Sequence, residues 1–119
     1  YNYQLIISEV KRVLKAGGQL IGATPFLVAY HPDPRDYWRY TKEALENIFM
    51  SVGFANVQVK TFGVGPVSAA FSQIEMVLPR CLKMILLLGV LFCDWVIIMF
   101  RPKMNSDRFP LGLFFTVKK

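Results

Sequence analysis

The sequence has few of the residues from which metal sites and disulfide frameworks are built. It contains 2 cysteines and 1 histidine in 119 residues, and Cys81 and Cys93 both lie in apolar surroundings. No Cys-x-x-Cys pair and no His/Cys ligand spacing is present, so neither a disulfide scaffold nor a metal centre is expected. Because isolated thiols suit a reducing compartment, the expected location is cytoplasmic, either free or peripheral on a membrane.

The chain also lacks an initiator methionine, a run of clustered basic residues and any low-complexity tract. It begins at Tyr1 in a helix-like pattern, from which we expect a fragment or a truncated reading frame. The 14 basic and 8 acidic residues give a net charge of +6, but the basic residues are scattered and no RNA-type aromatic signature accompanies them. Nucleic-acid binding is therefore disfavoured, and attraction to an anionic membrane surface is the preferred use of the charge.

What the sequence does contain is a helix, a glycine turn and a strand in that order. Apolar residues recur at helical spacing over residues 2–15, namely Ile6, Val10, Val13 and Leu14. Lys11 belongs to the opposite, polar face, and Gly17 and Gly18 supply a left-handed C-cap. Residues 19–24 are short and mostly apolar, as in a strand buried on both faces. This half of a βαβ unit places the chain in the α/β class.

A second helix and two further strands complete the predicted core. Thr41 is a good N-cap, Gly53 ends the helix that follows, and Phe54 folds back onto it. Residues 56–62 alternate as a half-exposed strand does, and residues 109–119 predict a terminal strand.

Between those strands the chain is unusually apolar. One helical face is predicted from the spacing of Val67, Ala70, Phe71, Ile74, Val77 and Leu78, and the opposite face from Ser68, Ser72 and Glu75. Residues 84–100 are apolar all round except at Asp94. Insertion in a membrane is energetically allowed, since the many Leu, Ile, Val and Phe residues at roughly −0.3 to −0.6 kcal/mol each outweigh one Asp at about +2.5 to +3.5 kcal/mol.

Topology opposes a single crossing, because it would separate the terminal strand from its sheet. We therefore expect this apolar helix to lie in the interface, to form a re-entrant hairpin about Pro79, or to cap the domain. The alternative is a buried lid helix in a soluble protein, or an oligomer interface.

The stretch H-P-D-P-R-D-Y-W-R-Y-T, residues 31–41, concentrates polar and aromatic groups in one loop. Its one histidine, His31, is a candidate general base, because an unperturbed imidazole titrates near neutral pH; the alternative is a loop histidine bonded to the backbone. Asp33, between two prolines, is expected to be a turn residue.

The rest of this loop carries the substrate-binding candidates. Asp36 and Arg39 are spaced to pair and hold the loop in shape, or else one of them contacts a polar substrate. Tyr37, Trp38 and Tyr40 are expected to wall a pocket or to anchor the loop in the core, and their position after a strand favours the pocket.

The run E-V-K-R-V-L-K-A-G-G-Q-L-I-G-A-T-P, from Glu9 to Pro25, resembles the E-x-x-R-V-L-K-P-G-G-x-L-x-x-x-x-P segment of class I S-adenosylmethionine-dependent methyltransferases, of the methyltransferase type 11 kind. Ala16 replaces the usual proline. The following H-x-x-P-x-D-Y-W-R-Y-T resembles a subgroup of the same family. The resemblance implies the C-terminal part of a Rossmann-like sheet: strands five, six and seven with helices, in which the sixth and seventh strands form an antiparallel hairpin.

On this resemblance, residues 1–63 are a partial methyltransferase core, residues 64–108 a hydrophobic helical insertion that forms a lid or associates with a membrane, and residues 109–119 the terminal antiparallel strand. The implied activity is methyl transfer from S-adenosyl-L-methionine to a small-molecule or lipid-linked acceptor. His31 would be the base, and the substrate-binding residues would be Asp36, Tyr37, Trp38, Arg39 and Tyr40.

The family's Gly-rich first loop and the acidic residue after its second strand are absent from these 119 residues. No cofactor-binding residue is therefore assigned, and the chain is expected to be the substrate-side half, inactive alone. The alternative is a non-catalytic truncated domain that acts as a membrane-associated or partner-binding module. The sequence predicts no oligomeric state.

Overall fold

The computed structural model describes residues 2–30 and 35–119. Four α-helices, one 3-10 turn and three strands occur in the described residues: α1 Tyr3–Val13, β1 Gln19–Pro25, α2 Lys42–Ser51, β2 Ala55–Phe62, α3 Pro66–Ile74, the 3-10 turn Glu75–Val77, α4 Arg80–Phe100 and β3 Gly112–Lys118. The predicted α/β class is confirmed.

The three strands form one sheet in the order β1-β3-β2. At one end of β3, the Leu111 N–H donates to Phe62 O at 2.9 Å and the Phe26 N–H donates to Leu111 O at 2.9 Å. At the other end, the Lys119 N–H donates to Gly18 O at 3.0 Å. Since the start of β3 meets the ends of β1 and β2, the central strand runs antiparallel to both neighbours.

The chain divides into two compact units. The first unit comprises Tyr1–Thr24, Tyr40–Lys60 and Leu113–Lys119, and the second comprises Pro25–Arg39 and Thr61–Gly112. The division into residues 1–63, 64–108 and 109–119, which the family resemblance implies, stays a prediction.

The core of the first unit is built by α2, β2 and β3. It consists of six buried apolar side chains: Leu45, Phe49, Phe54, Val59, Leu113 and Val117. The Phe49 and Phe54 rings meet edge to face, 5.8 Å between centroids, a favoured aromatic geometry.

The predicted ends of α2 are confirmed. Thr41 is the N-cap, accepting the Ala44 N–H at 3.2 Å, and Gly53 has the left-handed φ of 81° that ends the helix. The Phe54 N–H then donates to Phe49 O at 3.1 Å, which folds Phe54 back over the last turn.

The predicted burial of β1 on both faces is wrong for this chain. Its residues alternate between exposed and half-buried, and Ile21 is 58% exposed. The reason is its place in the sheet: among the described strands, β1 pairs with β3 alone and so forms an edge. Gly22 has a packing role, because a Cβ there would lie 2.5 Å from the Phe115 ring.

The apolar stripe of α1 is rotated by about one residue from the prediction. Val10 and Leu14 are half-buried as expected, whereas Ile6 and Val13 are exposed and Tyr3 and Ile7 replace them on the inner face.

Lys11, predicted to lie on the polar face of α1, is half-buried and reaches the end of α2. Its Nζ donates to Val52 O at 2.8 Å and to Gly53 O at 2.6 Å. A cation at the C-terminal end of a helix is electrostatically favourable, so this contact to the end of α2 fixes the rotation of α1.

The second unit contains α3 and α4, which pack on each other. The predicted inner face is correct at Phe71 but wrong at Ala70 and Ile74 of α3 and at Val77 of the 3-10 turn, which are exposed. The buried residues are instead Ser68, Ala69 and Phe71. The cause is the contact of Asp94, on α4, with the first amides of α3.

Candidate functional site

The loop after β1 is described on both sides of a gap, as residues 26–30 and 35–41. His31 and Asp33 lie outside the described residues, so the base role of His31 and the turn role of Asp33 stay predictions.

Arg39 is the centre of this loop. Its guanidinium donates to the carbonyl oxygens of Phe26, Val28 at 2.9 Å and Ala29 at 3.2 Å. The Arg39 Nε donates to both Asp36 oxygens, at 3.2 and 3.1 Å, and one terminal nitrogen closes the ion pair with the same carboxylate. One side chain thus ties the segment after β1 to the segment that leads into α2.

The Asp36–Arg39 pair expected from the spacing is therefore present. The two side chains are 9% and 26% exposed, respectively, and the hydrogen bond to Asp36 raises the pKa of Arg39 above its usual value. A guanidinium has five N–H donors, and all five of Arg39 are engaged by these partners. The geometry thus favours loop shaping over a substrate hydrogen bond for Arg39.

The backbone after β1 has further anchors in the second unit. The Leu27 N–H donates to Pro110 O at 3.2 Å. The Leu27 carbonyl accepts from Ser72 Oγ at 3.0 Å and from Gln73 Nε2 at 2.9 Å, both on α3. Anchoring on both sides of Leu27 holds this backbone in one conformation.

The three aromatic candidates have different surroundings. Tyr37 and Trp38 are 49% and 56% exposed, so each presents a large ring surface outward. Tyr40 is half-buried against the first unit's core and meets Tyr3 edge to face at 6.3 Å. Burial raises the pKa of Tyr40, and the neighbouring Tyr3 adds to the shift. Tyr40 therefore packs against the core, whereas the rings of Tyr37 and Trp38 are each about half exposed.

Asp94 is a buried residue that the sequence reasoning treated only as a cost of membrane insertion. It is 0% exposed, and its Oδ1 and Oδ2 accept the N–H groups of Val67 and Ser68, each at 2.8 Å. A single acidic residue in an otherwise apolar stretch of sequence could have indicated that Asp94 has a specific buried partner.

The contact between Asp94 and α3 lies against a glycine. A Cβ on Gly65 would lie 2.6 Å from Asp94 Oδ1, so a larger residue there would displace the carboxylate. Ser68 completes the cap, accepting the Gly65 N–H at 3.1 Å and donating to Gly65 O at 3.0 Å. Because Asp94 already fills the anion position at the N-terminus of α3, that terminus is not open to a phosphate or carboxylate ligand.

An open depression of about 430 Å³ lies in the first unit, where α1 begins and α2 ends. Its lining is neutral: Asn2, Gln4, Leu5, Ser8, Ser51 and Val52. It includes none of the predicted site residues and no titratable side chain. Among the described residues, no group of three or more His, Cys, Asp or Glu side chains is placed to hold a metal ion.

Comparisons with protein-family models, curated proteins and solved structures give no match to this chain.

Proposed function

We propose that this chain is the substrate-side part of an S-adenosylmethionine-dependent methyltransferase that acts on a small-molecule or lipid-linked acceptor. The observation that carries the proposal is the form taken by the E-x-x-R-V-L-K-x-G-G run. It forms α1, a turn with Gly17 at φ 74°, and β1 in direct succession, which is the helix–turn–strand order that the resemblance implies.

The sheet adds support to the proposal. The resemblance implies an antiparallel sixth and seventh strand, and β2 and β3 are antiparallel neighbours although residues 63–111 separate them in sequence. In addition, β1 exposes Ile21 and has no partner on its outer edge among the described strands. A further strand at that edge would pair its backbone and cover its apolar surface.

Under the proposal, no described residue is assigned to the cofactor. The glycine-containing junction from β2 to α3 cannot serve as its loop, because Asp94 occupies the helix amides and the space beside Gly65. Under the proposal, the residues that hold S-adenosylmethionine belong to sequence outside these 119 residues. The present chain positions the acceptor.

Positioning is the catalytic work proposed for the loop. Ligands of open α/β sheets bind at the carboxyl ends of parallel strands, and the segment that Arg39 and Asp36 hold starts at the end of β1. In the proposal, the exposed rings of Tyr37 and Trp38 wall the acceptor site, Tyr40 anchors the loop, and His31 accepts the acceptor's proton. Holding reactants in the correct geometry is worth several kcal/mol of the barrier, up to about 7–11 in favourable cases.

Calorimetric titration of this chain with S-adenosylmethionine tests its half-domain character. We expect no tight binding by the 119 residues alone. Tight, saturable binding would overturn the assignment of the cofactor site to other sequence.

A chain extended upstream to include a Gly-rich loop tests the activity. Transfer of labelled methyl groups should then appear, and His31→Ala should lower turnover at least about 100-fold if His31 is a general base. Lys42→Ala, at an exposed position just after the loop, is the matched control and should keep activity. Normal turnover of a folded His31→Ala enzyme would remove His31 from the mechanism.

A second candidate function is a non-catalytic module associated with a membrane. It is favoured by α4, whose 21 residues have a mean hydropathy of 2.3 in an 18-residue window that is only 6% buried. Failure of every extended chain to transfer methyl groups, with vesicle binding retained, would favour this candidate over the enzyme.

A further inference from the structure

The two faces of α4 have opposite surroundings. One stripe turns inward and is half-buried or buried: Lys83, Leu87, Val90, Asp94 and Ile97. The opposite stripe runs the length of the helix and is between 54% and 74% exposed: Ile85, Leu88, Phe92, Trp95 and Met99. The outer stripe, by which we mean these last five residues, is wholly apolar, and Phe92 and Trp95 stack within it at 5.9 Å.

The chain enters and leaves the α3–α4 segment at one place. The Leu111 N–H donates to Phe62 O at 2.9 Å, so residues 63–110 begin and end side by side. A single passage of α4 through a bilayer would place these two ends on opposite sides. The hydrogen bond excludes that arrangement.

A full-depth hairpin is disfavoured by the unequal lengths of its helices. As a helix of 21 residues, α4 is about 31 Å long at 1.5 Å per residue, the thickness of a bilayer core. The helical part of the returning arm is α3 and the 3-10 turn, nine and three residues, which span only about 19 Å. The tip of the hairpin also carries charge, since Lys83 pairs with Glu75 at 2.8 Å.

The ends of α4 carry positive charge. Arg80 begins the helix, and Arg101 and Lys103 follow it, all exposed. Asp94, the one acidic residue of α4, faces inward and is satisfied by amides of α3. The outer stripe is therefore apolar between two cationic ends, a pattern that suits an anionic lipid surface.

We propose that α4 lies in the plane of an anionic membrane surface, with the outer stripe in the upper acyl region and Arg80, Arg101 and Lys103 among the headgroups. In this arrangement the two ends of residues 63–110 lie on the same side of the bilayer. Asp94 makes the arrangement possible, because the one acidic side chain of the helix is bound by amides of α3 rather than exposed to lipid. The proposal is independent of methyl transfer, since it rests on α4 and its neighbours alone.

A second copy of the chain fits this surface less well than lipid. Packing α4 against α4 brings Arg80 against Arg80 in a parallel pair, and Arg80 against Arg101 in an antiparallel pair. Like charges would meet at both ends in either orientation, whereas lipid phosphates and carboxylates would neutralise them.

Tryptophan fluorescence tests the position of α4. Of the two tryptophans, Trp38 is changed to Phe so that Trp95 reports alone. With vesicles of phosphatidylcholine and phosphatidylserine, we expect a blue shift and strongest quenching by lipids brominated near the headgroup. Strongest quenching by lipids brominated near the chain ends would overturn the in-plane arrangement, and no shift with a concentration-dependent dimer would replace lipid with a second copy.

Vesicle flotation tests the residues. Leu88→Lys and Phe92→Glu should each weaken binding at least about tenfold, because a charge replaces buried apolar surface. Met50→Lys is the matched control, since Met50 is 54% exposed on α2, outside the stripe, and should bind as the parent does. Equal loss in all three variants would contradict a specific lipid face.

The charged ends are tested in the same assay. Arg80→Gln combined with Arg101→Gln should weaken binding to vesicles with phosphatidylserine and change little with phosphatidylcholine alone. An equal effect on both vesicles would overturn the electrostatic part of the proposal. Binding can be scored whether or not an extended chain shows methyl transfer, so the two proposals fail separately.

Discussion

The interiors of the two units differ in composition. The first encloses six apolar side chains around α2, β2 and β3. The second buries Ala69 and Phe71 beside a fully buried carboxylate, Asp94, and a buried hydroxyl, Ser68, while the outer stripe of α4 stays exposed. The first unit thus buries apolar residues in its own core. In the second unit a polar contact joins α3 to α4, and a large apolar surface of α4 stays exposed.

This difference predicts that apolar truncation will damage the first unit and loss of a single acid the second.

Phe49→Ala should destabilise the chain most, by about 3–5 kcal/mol, because it removes a ring that is 2% exposed and contacts Phe54 and Phe115 and leaves a cavity. Urea unfolding followed by circular dichroism measures the loss. Met50→Ala, at the exposed neighbouring position, should change the free energy of unfolding by no more than about 0.5 kcal/mol. Similar losses of unfolding free energy in both variants would contradict a specific packed core in the first unit.

Asp94→Ala should cost about 2–3 kcal/mol, because the amides of Val67 and Ser68 lose their acceptors in a buried site. Hydrogen exchange should accelerate first at those two amides, with the sheet amides of the first unit little affected. Asp94→Asn retains one oxygen acceptor and should lose less. An Asp94→Ala chain with unchanged exchange in α3 would refute the polar anchor of the second unit.

Arg39→Lys should cost about 1–2 kcal/mol, since an ammonium has three donors and cannot reproduce the planar five-donor fork. Exchange should rise at residues 26–30, which the guanidinium holds through three carbonyls. Arg35→Lys, in the same loop but exposed, is the control. Preserved exchange with lost activity in an extended chain would instead assign Arg39 to the acceptor.

Tyr40→Phe should have the smallest effect and show it only in alkali. The pKa of Tyr40 is raised in the folded chain above the ordinary 10.0, so the folded state holds this proton more tightly than the unfolded state. Stability from this group is complete below pH 10 and falls as the pH rises beyond it. The difference in unfolding free energy between parent and variant should therefore decline above pH 10; a flat difference would mean that Tyr40 ionises equally in both states.

Local rules explain most of what the sequence predicted correctly. The Thr41 cap, the Gly53 stop and the return of Phe54 depend on residues within one helix turn of each other, and all three occur as expected. The Asp36–Arg39 pair is likewise a contact between residues three apart.

The errors have long-range causes. The rotation of α1 follows from Lys11 reaching the end of α2, 41 residues further on, and the buried face of α3 from Asp94, 26 residues beyond Ser68. The edge position of β1 depends on how the strands are ordered in the sheet. The pattern of its own seven residues carries no information about that order. Periodicity identifies an amphipathic element well, but it does not identify the partner that selects one of two apolar faces.

The hydrogen bond from the Leu111 N–H to Phe62 O joins β2 and β3 where residues 63–110 leave and re-enter the sheet. Two strands that are already paired at the point of departure need only a short turn to become an ordinary β-hairpin. A short turn could therefore replace residues 63–110 while the strand order of the sheet stays the same.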